Sequence, residues 1–338
     1  MSQNPINDMQ IALEEELQSQ IEVLKEKPTN EFYEMLTFHM GWTGDLPNHN
    51  ASGKRIRPLL LLLCAASGDQ NYAWQYALPG AAAVELLHNF SLIHDDIQDN
   101  SFLRRNRPTV WRLWGIPQAI NVGDGLYALS NIAINGLTQN NDPDLVVKIA
   151  GIFNKTCLNL TRGQYMDMAF EDNNNLTMEN YWPMISYKTS ALISTSTEIG
   201  TILAGYDHTS QEICRQFGHY LGLAFQVKDD ILGLWGNEHL TGKSITKDLI
   251  TGKKTLPILY GLRQEGVFAR RWSEGNITEE EAPHIAVQLA KEGAKKYAED
   301  TVDQLTEMAH KYLRIMAPQG SVGQELFDLT NRLLKRDT

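Results

Sequence analysis

The chain has 338 residues, of which 42% are hydrophobic, and its formal net charge at pH 7 is −11. This length allows two ordinary domains or one large helical domain, and the apolar content is enough for a substantial core. The negative charge argues against a nucleic-acid partner, because proteins that bind a phosphate backbone carry the opposite balance.

Cysteine usage and hydropathy indicate a cytoplasmic protein. The cysteines Cys64, Cys157 and Cys214 are far apart in the sequence and show no CxxC or zinc spacing, which favours a reducing compartment. The N-terminal stretch lacks the basic flank and apolar run of a signal peptide. The longest apolar run, from Leu59 to Ala66, is far shorter than the ~20 residues that cross a bilayer. We therefore predict a cytoplasmic location and no transmembrane segment.

Apolar residues at helical spacing recur along most of the chain, whereas strand signals are nearly absent. No repeat and no low-complexity linker divides the chain. In chain order, the pattern predicts helices at about 8–26, 30–41, 53–66, 76–99, 118–138, 143–170, 178–204, 209–235, 255–264, 278–312 and 320–335. The sequence therefore predicts an all-α protein in which residues 1–338 form a single large helical bundle domain.

Three carboxylates end the predicted helix at 76–99. The stretch from 84 onward is apolar, contains neither Gly nor Pro, and ends in Asp95, Asp96 and Asp99. Asp95 and Asp99 are four residues apart and share one helix face. Two acids on one face are unfavourable unless a cation lies between them, and Mg²⁺ takes oxygen ligands while keeping waters for a phosphate partner. A solvated acidic helix end is the alternative interpretation.

A second acid pair closes another apolar helix about 130 residues later. Asp229 and Asp230 lie near the end of this helix, and Gln226 lies one turn before Asp229 on the same face. Two carboxylate clusters in a helix bundle are a recurrent way to hold several divalent cations.

Basic residues bracket both acid pairs. Each of them taken singly is compatible with a solvated surface cation, but their joint placement beside the acids predicts a metal-bridged diphosphate pocket with a second anion site. Apolar side chains on the same helices suit a hydrocarbon attached to the diphosphate. The residues are Lys54, Arg57, Arg104, Arg105, Lys188, Lys243, Lys247, Lys253 and Lys254.

These motifs resemble those of the all-trans isoprenyl diphosphate synthases, also called polyprenyl synthetases. The resemblance extends from about residue 50 to 265, with several boxes in the family's order and spacing, so it is specific. The boxes are Gly53-Lys54-Arg55-Ile56-Arg57-Pro58, the Asp-Asp-x-x-Asp motif at 95–99 with His88 before it, Arg104-Arg105, Gly163-Gln164 with Asp167, Lys188-Thr189, Phe225-Gln226 with Asp229-Asp230, Gly242-Lys243, and Gly252-Lys253-Lys254 with Pro257.

The resemblance implies an isoprenoid synthase type of fold, in which a homodimer of all-α subunits has a deep central cavity in each subunit. It implies Mg²⁺ as cofactor, with three ions per active site held by Asp95, Asp99 and Asp229, and with Asp96 and Asp230 in support. With Lys188, these acids form the implied catalytic set.

The substrates implied by the resemblance are isopentenyl diphosphate and an allylic diphosphate. The allylic C1–O bond ionises, the isopentenyl double bond attacks C1, and a proton is lost to give a short-chain all-trans prenyl diphosphate. The implied contacts to the allylic diphosphate are Arg104, Lys188, Thr189, Gln226, Lys243 and Lys253. The implied contacts to isopentenyl diphosphate are Lys54, Arg57, His88 and Arg105.

Three positions depart from the family pattern. Asn106 replaces the usual Gly after the arginine pair, and Trp111 stands where a His is common. Gly233 replaces the usual third acid of the second aspartate motif. These changes are compatible with a divergent subgroup or an altered reaction.

Product length is expected to depend on Phe90 and its neighbour Ser91. Phe90 lies five residues before Asp95, about 7.5 Å down the helix and about 140° around it, so helix geometry alone does not place its ring beneath the acids. An aromatic residue at this position resembles the chain-length floor of the family's short-chain members, and Ser91 beside it is small. We therefore expect a C15 to C20 product, with geranylgeranyl diphosphate favoured.

Two alternatives remain. A class I terpene cyclase on the same fold also ionises allylic diphosphates, but it does not need the second anion site. A catalytically weak partner subunit of a prenyl synthase is the other alternative, and the presence of both aspartate-bearing helices argues against it.

Overall fold

The computed structural model describes residues 5–44, 53–68, 73–171, 173, 176–236, 246–318 and 320–334. Within these ranges the chain is almost entirely helical, and two very short strands form one antiparallel hairpin. The prediction of an all-α protein is confirmed. In the part of the chain that is described, no helix has both the length and the hydropathy of a membrane span.

Most helices begin and end within a few residues of the predicted bounds. Short 3₁₀ turns at Trp74–Ala77 and Leu137–Gln139 adjoin two of them. The helices are α1 (Pro5–Glu22), α2 (Asn30–His39), α3 (Ile56–Ala66), α4 (Leu78–Gln98), α5 (Val110–Trp114), α6 (Ile116–Gly136), α7 (Pro143–Glu171), α8 (Met178–Ile185), α9 (Ala191–Leu203), α10 (His208–Trp235), α11 (Lys247–Ile250), α12 (Leu256–Arg263), α13 (Val267–Ser273), α14 (Ala282–Lys291), α15 (Ala294–Met316) and α16 (Gly320–Leu334).

The prediction of one helix over 278–312 is wrong, because α14 and α15 are separate helices. Glu292 caps the end of α14, and Gly293 follows it with a φ of 92°. A residue in this left-handed conformation ends a helix, and Gly adopts it without a steric penalty.

The predicted helix at 178–204 is continuous but not uniform. Its first part is α8 and its last part is α9, and the residues Ser186–Ser190 between them form a π-helical turn. A π-helical turn widens the backbone by one residue, and such turns are frequent at functional sites. Lys188 and Thr189, which were selected from the sequence, lie in this turn.

The chain divides into two compact units. The first comprises Met1–Cys157, Thr195–Arg215 and Met316–Leu326, and the second comprises Leu158–Ser194, Gln216–Ile315 and Phe327–Thr338. The single domain expected over residues 1–338 stays a prediction.

In the first unit, α3 and α4 form the buried centre. The residues from Leu59 to Ala65 are each no more than 1% exposed, because a helix that is apolar on every side needs neighbours all around it. Helix α3 packs against α1 and α4, and α4 packs along α6. These contacts fix the C-terminal end of α4, where the first acid cluster lies.

In the second unit, the core surrounds the last turns of α10. Val227 and Ile231 of α10 are buried in one cluster with Tyr181 of α8 and with Leu256 and Leu259 of α12. The acid pair of α10 is thereby held among packed side chains.

The hairpin after α4 was not predicted. Its strands are β1 (Leu103–Arg104) and β2 (Arg107–Pro108), and the two residues between them, Arg105 and Asn106, have φ values of 52° and 62°. Positive φ at both central residues is typical of a tight two-residue hairpin turn, which Asn and Gly favour. Asn106 therefore keeps the backbone conformation that a Gly would adopt at this position.

Candidate functional site

The carboxylates at the end of α4 face in two directions. Asp96 is buried and accepts three hydrogen bonds from Arg104, from Nε to Oδ1 at 3.0 Å and to Oδ2 at 2.9 Å, and from Nη2 to Oδ1 at 2.8 Å. Asp95 and Asp99 lie on a partly exposed face one helical turn apart, and the Asp99 N–H donates to the Asp95 carbonyl at 2.8 Å. The structure thus pairs Asp96 with Arg104 and presents Asp95 and Asp99 together on the accessible side.

Two residues predicted for isopentenyl diphosphate are in contact. Nη1 of Arg57, at the start of α3, lies 3.1 Å from Nε2 of His88 on α4. Burial lowers the pKa of His88 well below its ordinary value, and the charges of Arg57, Arg105 and Arg104 lower it further. The imidazole is therefore neutral and accepts the hydrogen bond from Arg57. The side chain of Lys54 is exposed in the same unit.

Three other arginines lie close enough to Arg105 to disfavour its charge. Burial lowers the pKa of Arg105 to about 10, Glu85 opposes the shift, and the charges of Arg55, Arg104 and Arg57 add to it. A bound anion would relieve the repulsion between these arginines. The predicted residues Arg57, Arg104 and Arg105 therefore belong to one cationic cluster.

Arg55 was not selected from the sequence, yet it holds the start of α3 in place. Its side chain is buried, and it donates from Nε to Oε1 of Glu14 at 2.8 Å and from Nη1 to Oε1 of Glu85 at 2.8 Å. This buried ion-pair network links α1, the start of α3 and α4, and so it positions Arg57 two residues later. Removing one member of such a network leaves an uncompensated buried charge.

In the second unit, Asp167 of α7 brings two predicted lysines together. Nζ of Lys188 donates to Oδ2 of Asp167 at 2.5 Å, and Nζ of Lys253 lies 3.7 Å from the same oxygen. Burial alone raises the pKa of Asp167, but the charges of Lys188 and Lys253 outweigh burial and lower it. Asp167 belongs to the motif Gly163-Gln164 with Asp167 that resembles one of the family's motifs, but it was not among the site residues predicted from the sequence.

Two glycines allow helices to press against the π-helical turn. A Cβ on Gly163 of α7 would lie 2.3 Å from the Lys188 backbone nitrogen, and a Cβ on Gly222 of α10 would lie 2.5 Å from the Cα of Ser190. Each glycine precedes by one turn a residue that reaches the π-helical turn, Asp167 in α7 and Gln226 in α10. The close approach of the backbones therefore sets the contacts of Lys188 and its neighbour.

A chain of hydrogen bonds runs from the π-helical turn to the core. Oγ1 of Thr189 donates to Oε1 of Gln226 at 2.5 Å, and Nε2 of Gln226 donates to Oδ1 of Asp230 at 2.9 Å. Oδ2 of Asp230 accepts from the Tyr181 hydroxyl at 2.7 Å and from the Leu256 N–H at 3.1 Å. Burial raises the pKa of Asp230 to about 7, although all three donors act to lower it.

The missing third acid at Gly233 has a structural counterpart in Asp248. A Cβ on Gly233 would lie 2.5 Å from Oδ2 of Asp248, so a carboxylate from α11 already occupies the space beside this position. The Thr246 N–H donates to the Gly233 carbonyl at 2.9 Å and fixes the start of α11 there. The charge of Asp248 also contributes to the raised pKa of Asp230. Asp229 itself is partly exposed.

The region of Trp111 stabilises the turn after α4. The indole Nε1 of Trp111 donates to the carbonyl of Ser101 at 2.9 Å, and the Thr109 hydroxyl donates to the same oxygen at 2.9 Å. A Cβ on Gly53, whose φ is 82°, would lie 2.5 Å from Nη2 of Arg105. The second departure from the family pattern is therefore an indole that is hydrogen-bonded to the turn after α4.

Phe90 faces α6. Its ring centroid lies 4.7 Å from that of His94 and 5.3 Å from that of Tyr127 on α6. The Ser91 hydroxyl donates to the carbonyl of His88 at 2.8 Å, so this side chain is tied to its own helix. The role of Phe90 and Ser91 in product length stays a prediction, as does that of Lys243, which lies outside the described residues.

The donor chemistry at the end of α4 fits a hard divalent cation. Asp95 and Asp99 offer carboxylate oxygens one turn apart on an accessible face, and Mg²⁺ is bound through one or two carboxylates plus waters and substrate phosphates. Within the described residues, no group of three or more His, Cys, Asp or Glu side chains lies close enough to hold a metal ion without such additional ligands.

Comparisons with known proteins agree with the geometry. A family model for polyprenyl synthetase matches residues 45–289. The (2E,6E)-farnesyl diphosphate synthase of Mycobacterium tuberculosis is 39% identical over 240 residues, which cover 70% of this chain and only 65% of that protein. The geranylgeranyl pyrophosphate synthase of Geoglobus acetivorans is 34% identical over 287 residues, which cover 85% of this chain and 88% of that protein.

Solved structures show the same fold. The polyprenyl synthetase of Streptomyces coelicolor A3(2) superimposes with a TM-score of 0.85 at 30% identity, covering 97% of this chain and 98% of that chain. A geranylgeranyl pyrophosphate synthetase from Pyrococcus horikoshii Ot3 gives a TM-score of 0.86 at 29% identity, covering 98% and 97%. The matched family model spans well over half of the sequence, and it includes both aspartate motifs and the cationic residues between them. The chain therefore belongs to the polyprenyl synthetase family.

Proposed function

We propose that the protein is a magnesium-dependent prenyltransferase that condenses isopentenyl diphosphate with an allylic diphosphate. The observation that carries the proposal is the cationic cluster of Arg57, Arg104 and Arg105, in the same unit as the carboxylates Asp95 and Asp99, which share one helix face. Relatives named farnesyl and geranylgeranyl diphosphate synthases support a short-chain all-trans product.

Magnesium is the proposed cofactor, with Asp95, Asp99 and Asp229 as its ligands and three ions per active site, as the family resemblance implies. When bound, Mg²⁺ would neutralise charge on the diphosphate leaving group. Asp96 supports this arrangement indirectly, because its ion pair with Arg104 fixes the last turn of α4.

We assign the allylic diphosphate to Lys188, Thr189, Gln226, Lys243, Lys253 and Arg104. Lys188 and Lys253 share Asp167, which holds both ammonium groups in place before substrate binds. Preorganised positive groups stabilise the charge that develops on the departing oxygen when the C1–O bond breaks.

We assign isopentenyl diphosphate to Lys54, Arg57, His88 and Arg105. Arg57 and His88 are already in contact, and the neutral imidazole leaves the cationic charge on the arginines. The isopentenyl double bond then attacks C1 of the allylic cation, and a proton is lost to the released diphosphate. Water must be excluded from the cation during this step, since it would otherwise be quenched.

The product proposed is C15 to C20, with geranylgeranyl diphosphate favoured, and Phe90 is the proposed floor for the growing chain. The contacts of the Phe90 ring with His94 and Tyr127 support this role, because they restrict its movement. A terpene cyclase is not favoured by the relatives, and the cationic cluster around Arg105 is a second anion site that a cyclase does not need.

We also propose a homodimer and a cytoplasmic location. The apolar residues Ile116, Ile120 and Tyr127 lie along one stripe of α6 and are 47%, 42% and 37% exposed, which suits burial against a second copy of this chain. Sedimentation velocity tests the dimer, and Ile120→Glu is expected to shift it toward the monomer. The three cysteines form no disulfide, which agrees with a reducing compartment.

One assay tests the main proposal. The purified protein is incubated with Mg²⁺, isopentenyl diphosphate and, separately, the C5, C10 and C15 allylic diphosphates, and the products are identified by mass spectrometry. Elongation that requires isopentenyl diphosphate and is lost with Asp99→Asn, but not with the matched surface variant Asp300→Asn, supports the proposal. A hydrocarbon formed from the allylic substrate alone would contradict it and favour a cyclase.

A further inference from the structure

Lys254 is a lysine that the protein buries. It is only 8% exposed, whereas a lysine normally keeps its ammonium group in water because burying a charge without compensation is costly. It directly follows Lys253, which Asp167 holds together with Lys188. The proposed function assigns Lys254 no contact with either substrate, so its burial needs another explanation.

Carbonyl oxygens and an aromatic ring compensate the ammonium group of Lys254. Its Nζ donates to the carbonyl of Glu171 at 2.8 Å and to the carbonyl of Gly252 at 3.2 Å. The same nitrogen lies 5.4 Å from the ring centroid of Trp272 on α13, which is within the range of a cation–π interaction. These groups replace part of the hydration that the charge loses on burial.

The carbonyl of Glu171 lies at the C-terminal end of a helix. Glu171 is the last residue of α7, where backbone carbonyls have no partner within the helix and the helix dipole favours a cation. Lys254 supplies both a donor and a positive charge to this end, from 83 positions further along the chain. Its side chain therefore attaches the segment 252–254 to the end of α7.

The same turn of α7 also holds Lys253. Asp167 and Glu171 are four residues apart, so they lie on one side of the last turn of the helix. Nζ of Lys253 lies 3.7 Å from Oδ2 of Asp167, and the Lys253 N–H donates to the carbonyl of Asp248 at 3.0 Å. Two consecutive lysines are thus anchored on one helical turn, Lys253 by a carboxylate and Lys254 by a backbone carbonyl.

We propose that Lys254 is a positioning residue that fixes the ammonium group of Lys253 beside Asp167. The inference rests on the proposed function, in which Lys253 binds the allylic diphosphate. Without the contact to Glu171, the segment loses a link to α7, and the diphosphate has to order the Lys253 side chain on binding, which lowers affinity. The residues assigned to isopentenyl diphosphate belong to the first unit, so their contacts do not depend on Lys254.

The kinetic test compares Lys254→Met with Lys291→Met. Methionine keeps much of the apolar stem of lysine but cannot donate a hydrogen bond, and Lys291 is an exposed lysine at the end of α14. In Lys254→Met we expect kcat/KM for the allylic diphosphate to fall about 10- to 100-fold, as for a displacement of about 1 Å, while the KM for isopentenyl diphosphate changes less than about two-fold. Lys291→Met should keep wild-type values. A folded Lys254→Met variant with wild-type kcat/KM overturns the proposal, and so does an equal rise in the KM of both substrates.

A double-mutant cycle tests whether Lys254 acts through Lys253. In the Lys253→Met background, the additional change Lys254→Met should lower kcat/KM by less than about two-fold, because the ammonium group that it positions is absent. Losses that multiply, as they do for independent residues, overturn the proposal. Thermal unfolding checks that each variant is folded. Lys254→Gln, which keeps a side-chain donor, carries the same cycle if the methionine variant does not fold.

Hydrogen exchange distinguishes this inference from the proposed function. Without substrate, peptides that cover residues 251–256 should exchange faster in Lys254→Met than in the wild-type protein, whereas Lys291→Met should leave this exchange unchanged. If the wild-type protein does not elongate isopentenyl diphosphate, the proposed function fails, while this measurement still decides whether Lys254 holds the segment. Unchanged exchange in a folded Lys254→Met variant refutes the inference in either case.

Discussion

Gly163→Ala is expected to lower kcat/KM for the allylic diphosphate strongly and the free energy of unfolding only slightly. The added Cβ would lie 2.3 Å from the backbone nitrogen, 2.6 Å from the Cα and 2.8 Å from the Cβ of Lys188. Backbone atoms cannot rotate away as a flexible side chain can. Ordinary van der Waals contact therefore requires α7 and the π-helical turn to separate by about 1 Å.

This displacement acts directly on the ion pair between Lys188 and Asp167. The two residues meet at 2.5 Å because Gly163, one turn before Asp167, lets the backbones approach. A misplacement of about 1 Å in a catalytic group can cost about 100-fold in rate. We expect kcat/KM for the allylic diphosphate to fall about 10- to 100-fold.

The expected change in stability is smaller because two effects oppose each other. Overpacking costs about 1–3 kcal/mol, and replacing Gly by Ala within a helix returns about 1 kcal/mol. The net destabilisation is therefore expected to be about 0–2 kcal/mol, which urea unfolding measures.

Gly151→Ala is the matched control for this prediction. Gly151 is on the same helix, and a Cβ added there meets nothing within 4 Å. This variant should keep wild-type kinetics and gain up to about 1 kcal/mol in stability. If Gly163→Ala keeps wild-type kcat/KM, or if Gly151→Ala loses as much activity, the steric reasoning is refuted.

Three further predictions follow from individual side chains. Phe90→Ala should lengthen the product, since the ring is the proposed floor, and an unchanged product spectrum by chromatography contradicts this. Gly233→Asp restores the family's usual acid, yet it should lower activity, because its Cβ would lie 2.5 Å from Oδ2 of Asp248, so that the Asp248 carboxylate is displaced and a second negative charge is placed beside it. The added variant Asp248→Ala should relieve this repulsion, and a more active single variant refutes the argument. Burial and then neighbouring arginines lower the pKa of His39 in the folded protein. Below pH ~6.5 the unfolded chain therefore takes up a proton on this residue that the folded protein does not take up, so the free energy of unfolding falls as the pH decreases. His39→Gln should therefore remove about 1 kcal/mol of the stability difference between pH 7.5 and pH 5.5 in urea unfolding, and an equally steep pH dependence in the variant contradicts this.

Some features of the candidate site could be predicted from local sequence because they depend on helix geometry. Asp95 and Asp99 share a face as soon as the segment is helical, and the structure has them so. The helix break at Gly293 was also accessible, because a Gly followed by a new apolar periodicity is typical of a helix end.

Other features depend on distant residues that no local pattern connects. Asp167 meets Lys188 and Lys253 from a different helix, and Tyr181 meets Asp230 across 49 positions of sequence. The pairing of Asp96 with Arg104 depends on the unpredicted hairpin, which redirects the chain after α4.

By itself, the sequence determined that this protein is helical, that it belongs to the polyprenyl synthetase family, and which residues carry carboxylates or cations. Helicity follows from apolar periodicity, which is local, whereas membership of the family follows from the match of residues 45–289 to the family model. Only the tertiary structure decided that Asp96 is buried and paired with Arg104, and that the helix face shared by Asp95 and Asp99 is accessible. It also decided why Gly163 and Gly233 have no side chain, because close approach between two backbones, or between a backbone and a carboxylate, is a property of packing.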